Sequence, residues 1–280
     1  MLVSRFMTRH PVTVSPDSGL GEAVRLMEEH GFRHLPVVVD NEVVGMLSDR
    51  DVRLGTGGQE PEDLGLAKDA DVPRLVSEVM HSPAVFVEAD ERGPVAASRM
   101  VEHQIGALPV LEGIQLAGIV TETNLVTAYR DLCRDPAHQD ELDGAVEEIM
   151  RSLVVTLAPD ELIGEAIRRC NDWRIRHIPV LADDEELVGI VSDRDIRLAI
   201  GRAMVADAQA SASGGAPPDP KRIEQVMSRE VLTVEPREAI SRAATLMLDA
   251  HCSALPVTVD GMLMGILTRT DILEHYGSVA

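Results

Sequence analysis

Hydrophobic and polar positions near the start of the chain change period several times, and each change marks an element. Val12-Thr13-Val14 reads as a short strand, and Ser15-Pro16-Asp17-Ser18 as a turn carrying candidate helix caps. Leu20, Ala23, Val24 and Met27 then stand at i, i+3, i+4 and i+7, the apolar face of a helix. Gly31 suits the left-handed conformation that follows a helix C-terminus. Leu35–Val39 and Val43–Leu47 are β-rich runs joined by the hairpin turn Asp40-Asn41-Glu42. Residues 48–54 read as a second helix, so the predicted order is strand, helix, strand, strand, helix.

This pattern recurs four times in one register. A methionine closes a short apolar turn at Met7, Met80, Met150 and Met227, and a proline in an apolar pair follows at Pro36, Pro109, Pro179 and Pro256. Next come Gly45, Gly118, Gly189 and Gly265, and six residues beyond each stands Asp51, Asn124, Asp195 or Asp271. The one slip is an extra residue in the polar turn 182–186. The helical stripe returns as Ile163, Ala166, Ile167, Cys170 and as Ile240, Ala243, Ala244, Met247. In the second repeat Gly93 replaces the leading apolar residue, which predicts the weakest of the four helices. Repeats one and three share Arg-His before the proline pair and the string Ser-Asp-Arg-Asp; repeats two and four share Ala-Leu-Pro-Val and a Thr at the last helix. The chain therefore reads as a duplicated pair. The units are expected at 1–58, 75–130, 144–203 and 221–277, with linkers 59–74, 131–143 and 204–220. Residues 208–215 have flexible-linker composition. Units of roughly 55 residues are marginal alone and should bury an apolar face against a neighbour.

Composition narrows the function. Net charge is −21, and only Lys68 and Lys221 are lysines among 26 basic residues. So acidic a chain is a poor nucleic-acid binder, because phosphate contacts supply most of that affinity. Aromatic residues are few, so the cores should be built from Val, Leu, Ile, Met and Ala. No apolar run approaches the roughly 20 residues that span a membrane, and no secretory pattern opens the sequence. Cys133, Cys170 and Cys252 are far apart and lack metal-ligand spacing, which predicts reduced thiols in a cytoplasmic protein.

Each glycine opens a segment reading Gly-apolar-apolar-Ser/Thr-x-x-Asp/Asn, as in Gly45-Met46-Leu47-Ser48-Asp49-Arg50-Asp51. A hydroxyl with an acidic residue three positions later is a capping box, and capping alone explains those two residues. It does not require the glycine or the strand feeding the helix. A helix N-terminus can also receive a phosphate beside the hydroxyl, a carboxylate can accept both hydrogens of a ribose diol, and a glycine permits close approach of a ring. Arg33, His34, Arg50 and Arg53 flank the first motif, and Arg176, His177, Arg194 and Arg197 the third. The fourth has His251 and Arg269; the second has Glu122 and no arginine nearby, so phosphate there should be repelled.

On these motifs the chain resembles four cystathionine-β-synthase (CBS) domains in two tandem pairs, called Bateman modules. It is similar in layout to the γ subunit of the AMP-activated protein kinase. The resemblance implies an α+β fold of β-α-β-β-α units packed in pairs into a pseudo-twofold disc. It implies ribose contacts from Asp51, Asp195, Asp271 and Asn124, and phosphate contacts from Ser48, Ser192, Thr268 and Thr121. Arg33, His34, Arg50, Arg176, His177 and Arg194 join the phosphate set, since guanidinium forks suit phosphate. Asn124 departs from the motif, which puts its ribose contact in doubt.

The implied ligand is AMP, ADP or ATP, with Mg only if ATP is bound; S-adenosylmethionine is the alternative. A non-catalytic energy sensor of this kind would modulate a separate, unidentified protein and can pair as a homodimer. A ligand-free scaffold is a second reading. An enzyme is a third, opposed by the lack of a nucleophile constellation, a Walker loop or a metal-ligand cluster in the sequence.

Overall fold

The computed structural model describes residues 1–56, 74–136, 142–183, 185–196, 199 and 221–279. Arg197 and the linker segment 208–215 lie outside the described residues. The chain divides into two lobes, Met1–Leu142 with Leu273–Ala280, and Asp143–Ile272. Each lobe is α+β, as the repeat pattern predicts.

In the first lobe the first repeat contributes β1 (Thr8–Arg9), α1 (Leu20–His30), β2 (His34–Val39), β3 (Glu42–Ser48) and α2 (Asp49–Gly55). The second repeat adds β4 (Val87–Glu88), α3 (Gly93–His103), β5 (Ala107–Glu112), β6 (Gln115–Thr121) and α4 (Glu122–Cys133). One sheet of order β2-β3-β6-β5-β4 joins the two repeats, and β1 adds to β6. The second lobe holds α5 (Val146–Ile149), α6 (Ile163–Trp173), β7 (His177–Leu181), β8 (Leu187–Ser192), α7 (Ile240–Asp249), β9 (Ala254–Val259) and β10 (Met262–Thr268). The last helix, α8 (Arg269–Ser278), starts beside β10. Leu20, Ala23 and Met27 of α1 pack on Leu35, Val37 and Leu47, and Ile163 and Ala166 of α6 pack on Ile178, Val180 and Val191.

Three local expectations change. The strand read at Val12–Val14 shrinks to one parallel bridge, Val14 with Val37. Val14 N–H donates to Pro36 O, and Val38 N–H donates to Val14 O. The next rung toward Val12 would need an N–H from Pro36, which proline lacks. Leu157 with Val180 and Val234 with Val257 repeat the single bridge at the other prolines.

Ser15 and Ser18 do not cap α1, whose N-cap is Gly19; Leu20 N–H donates instead to Arg74 O. The two serine hydroxyls accept within their own turn, from Asp17 N–H and Ser15 N–H. Gly93 leaves no hole in α3 either. A methyl group there would come within 2.6 Å of the Tyr276 hydroxyl and 3.2 Å of Phe6, so an aromatic pair occupies the space of the missing aliphatic side chain.

The repeated methionine and glycine explain each other. Within each lobe the methionine of one repeat lies on the glycine of its partner repeat. A Cβ on Gly45 would lie 2.9 Å from Met80 Sδ, on Gly118 2.7 Å from Met7, on Gly189 2.5 Å from Met227, and on Gly265 2.8 Å from Met150. Backbone follows the side chain: Thr8 pairs with Ile119, Met46 with His81, Ile190 with Ser228 and Arg151 with Ile266. The segment entering each repeat thus runs along the motif strand of the other member of its pair.

Candidate functional site

Each motif closes as a capping box. Ser48 N–H and Oγ–H both donate to Asp51 Oδ2, at 2.9 and 2.6 Å, while Asp51 N–H donates to Ser48 Oγ at 3.2 Å. Ser192 with Asp195, Thr268 with Asp271, and Thr121 with Asn124 repeat this arrangement. The first helical N–H is engaged as well: Asp49, Glu122, Asp193 and Arg269 donate to the carbonyls of Arg33, Gly106, Arg176 and Ser253. Two first-turn donors of each helix are therefore already committed, which leaves less of the helix end for a phosphate than the sequence suggests.

The four anchors differ in what remains. Among the described residues, the second carboxylate oxygen of Asp51 and of Asp195 accepts no hydrogen bond. Asp271 is 4% exposed and its second oxygen accepts from Arg151 Nε at 2.7 Å, across the pair. Asn124 uses Oδ1 for the cap, so its remaining group is an NH2 donor that cannot accept from a ribose diol.

A cleft of about 420 Å³ opens between the first two repeats. Its walls include Thr8 and His10 from the entry segment, Arg33 and His34 ahead of β2, and Thr121–Thr123 at the start of α4. The structure thus places Arg33 and His34 beside the motif of the second repeat. The expectation that no arginine stands near that motif is corrected: Glu122 and Arg33 face one cleft because the paired repeats exchange entry segments. A Cβ on Gly106 would lie 3.3 Å from the His34 ring, so the glycine makes room for the imidazole. Arg53, by contrast, is tied to Asp49 at 2.7 Å. Arg50 and Arg194 are exposed on their helices, and Arg176 is exposed ahead of β7.

In the second lobe His177 Nε2 lies 3.0 Å from Ser253 Oγ, at the position where Gly106 meets His34. Arg269, at the position of Glu122, is 6% exposed and donates from Nη2 to Met247 O. Sequence reading passed over Arg151, which ties Asp271. Its signal was the position directly after the repeated methionine, which faces the motif strand of the partner repeat.

Burial and the adjacent Arg33 hold His34 below the usual imidazole range, against the opposing pull of Asp49, Glu122 and Asp51. A folded-state value below the unfolded 6.5 means the unfolded chain binds this proton first as pH drops. The stability linked to His34 is therefore present above pH 6.5 and lost as pH falls through the folded value. An NMR titration of the His34 ring should show a midpoint below 6.5; a midpoint at or above it would contradict this environment.

Among the described residues no three His, Cys, Asp or Glu side chains converge as metal ligands, and no helix is long and apolar enough to cross a membrane. An uncharacterized 33.4 kDa protein in the ribosomal RNA operon of Thermofilum pendens is 32% identical over 275 residues, spanning 95% of this chain and 88% of that protein. The structure of MJ1225 from Methanocaldococcus jannaschii, proposed as an archaeal homologue of g-AMPK, matches with a TM-score of 0.74 at 23% identity, over 99% of this chain and 100% of that one. A conserved Pyrococcus horikoshii protein matches with a TM-score of 0.69 at 19% identity, over the same shares. At these identities the two structures show a common fold. The CBS domain family matches residues 3–54, 76–131, 146–202 and 223–278, and the chain belongs to that family.

Proposed function

We propose that this chain is a non-catalytic regulatory protein that binds adenine nucleotides in the clefts between paired CBS units. The observation that carries this reading is the cleft of about 420 Å³ where one repeat supplies Arg33 and His34 and the other supplies Thr121–Thr123. Its size falls in the range of small-molecule sites. Its wall sets a guanidinium and an imidazole beside a hydroxyl, the groups a nucleotide phosphate needs. The second oxygens of Asp51 and Asp195 are the groups best suited to hold a ribose, and Asp271 is suited once Arg151 moves.

Four CBS units account for most of the chain, so the bound state is read by a separate protein. For such readout the ligand must favour one conformation or assembly over another. AMP, ADP and ATP are the proposed ligands, ATP with its Mg, in a cytoplasmic setting. S-adenosylmethionine is the second reading, favoured by Glu122, an anion in the first cleft that suits a cationic ligand.

Mass spectrometry of what co-purifies, followed by calorimetry with AMP, ADP, ATP and S-adenosylmethionine, tests both. Saturable heat with at least one adenine nucleotide is expected. Binding of S-adenosylmethionine alone would transfer the site to the second reading, and no heat with any of the four would leave a scaffold.

A further inference from the structure

The two pairs are built alike, yet equivalent positions around their clefts carry different charge. In the first lobe Thr8, Gly31, Arg33 and Glu122 line the cleft. The same register positions in the second lobe hold Arg151, Arg174, Arg176 and Arg269. One arginine and one glutamate thus face four arginines. Three observations place the second set around one site. Arg151 pairs with Ile266 on the motif strand and reaches Asp271 at 2.7 Å. Arg176 O accepts from Asp193 N–H, and the neighbouring His177 reaches Ser253 at 3.0 Å. Arg269 N–H donates to the carbonyl of that same Ser253. Arg174, held at φ +52° after α6, occupies the position from which Gly31 lines the first cleft.

We infer that the cleft of the third and fourth repeats takes the polyphosphate ligand, a nucleoside triphosphate, while that of the first and second takes a ligand of low negative charge. This rests on the nucleotide reading and adds to it a division of labour between the clefts. Each phosphate added to a nucleotide adds negative charge that a guanidinium meets with forked, charge-assisted hydrogen bonds. In the first cleft Glu122 opposes such a ligand and Arg33 is the one guanidinium of the wall. In the second the carboxylate of Asp271 is already balanced by Arg151. Arg174, Arg176 and Arg269 remain as positive charge, in a protein whose overall charge of −21 would otherwise repel a polyanion.

The test uses the full chain and the exposed-residue variants Arg33→Ala, Arg176→Ala and Glu122→Gln. Calorimetry with ATP, AMP and inorganic tripolyphosphate is the readout. Arg176→Ala should weaken ATP and tripolyphosphate by about tenfold or more, the loss of one charge-assisted contact, and AMP by less. Arg33→Ala should leave the tight ATP phase unchanged, and Glu122→Gln should strengthen a second, weaker ATP phase.

If adenine nucleotides bind but Arg33→Ala costs ATP as much as Arg176→Ala, the division of labour is wrong and the nucleotide reading stands. If no adenine nucleotide binds while tripolyphosphate still does, and Arg176→Ala abolishes it, the polyanion cleft stands and the nucleotide reading falls. Silence with all three probes overturns both.

Discussion

Alanine at Gly45, Gly118, Gly189 or Gly265 is expected to cost about 1–3 kcal/mol of stability each, the usual penalty for overfilling a packed contact. The added methyl group would meet methionine sulfur at 2.9, 2.7, 2.5 and 2.8 Å respectively, well inside contact distance. Backbone stands close behind it: His81 O at 2.9 Å from the Gly45 position, Thr8 O at 2.8 Å from Gly118, Arg151 O at 3.0 Å from Gly265, and Ser228 O at 3.2 Å from Gly189. The distances rank the sites for rescue. At Gly189 the sulfur is the main obstacle, so Met227→Ala should offset much of the Gly189→Ala loss. At Gly118 the Thr8 carbonyl cannot retreat without breaking its strand pairing, so Met7→Ala should offset little.

Denaturant unfolding of the two double-mutant cycles measures this, with couplings of about 0.5–3 kcal/mol for residues in contact. Equal coupling at both sites would show that backbone approach does not limit the packing. Gly31 serves as the contrast: it has open space around its Cβ position and is constrained by φ +69° alone, so its alanine variant tests backbone conformation without packing.

The same contacts show which features could be read from residues alone. Leu35-Pro36-Val37 and its three counterparts announced strands because an apolar run before a polar turn has few other solutions. The capping boxes at Ser48, Thr121, Ser192 and Thr268 were equally plain, since they depend on neighbours three residues apart. Gly265 was different. A glycine beside a motif suggests room for a ligand, and nothing in the spacing within one repeat shows that Met150, over a hundred positions earlier, fills that room.

Arg33 belongs to the same class. In sequence it neighbours the Asp51 motif, whereas in the fold it lines the cleft with Thr121–Thr123, because the entry segments of paired repeats cross over. Gly93 misled for a related reason, as the side chain that replaces its missing one is Tyr276, at the far end of the chain. Periodicity reports which residues share a face. It does not report whose face they meet.

Asparagine in place of Asp51, Asp195 or Asp271 is expected to leave the fold nearly intact while lowering nucleotide affinity by roughly one to two decades, the worth of a charge-assisted hydrogen bond of about 1.5–3 kcal/mol. The protein itself contains the control. Asn124 makes all three capping contacts, at 2.9, 2.8 and 3.3 Å, against 2.8, 2.6 and 3.4 Å for Asp271. An amide oxygen is therefore sufficient for the cap, and asparagine removes only the second acceptor. Alanine would remove both, costing about 1 kcal/mol or more in capping, so an alanine variant alone could not tell a lost ligand contact from a frayed helix. Asp271→Asn carries one more consequence, since it also removes the ionic partner of Arg151. Arg151 is 59% exposed and can re-solvate cheaply, so stability should change by less than about 1 kcal/mol. Unfolding midpoints and calorimetric titrations on the same three variants separate the two roles. Unchanged nucleotide affinity in all three, with unchanged stability, would mean that these carboxylates cap helices and do nothing else.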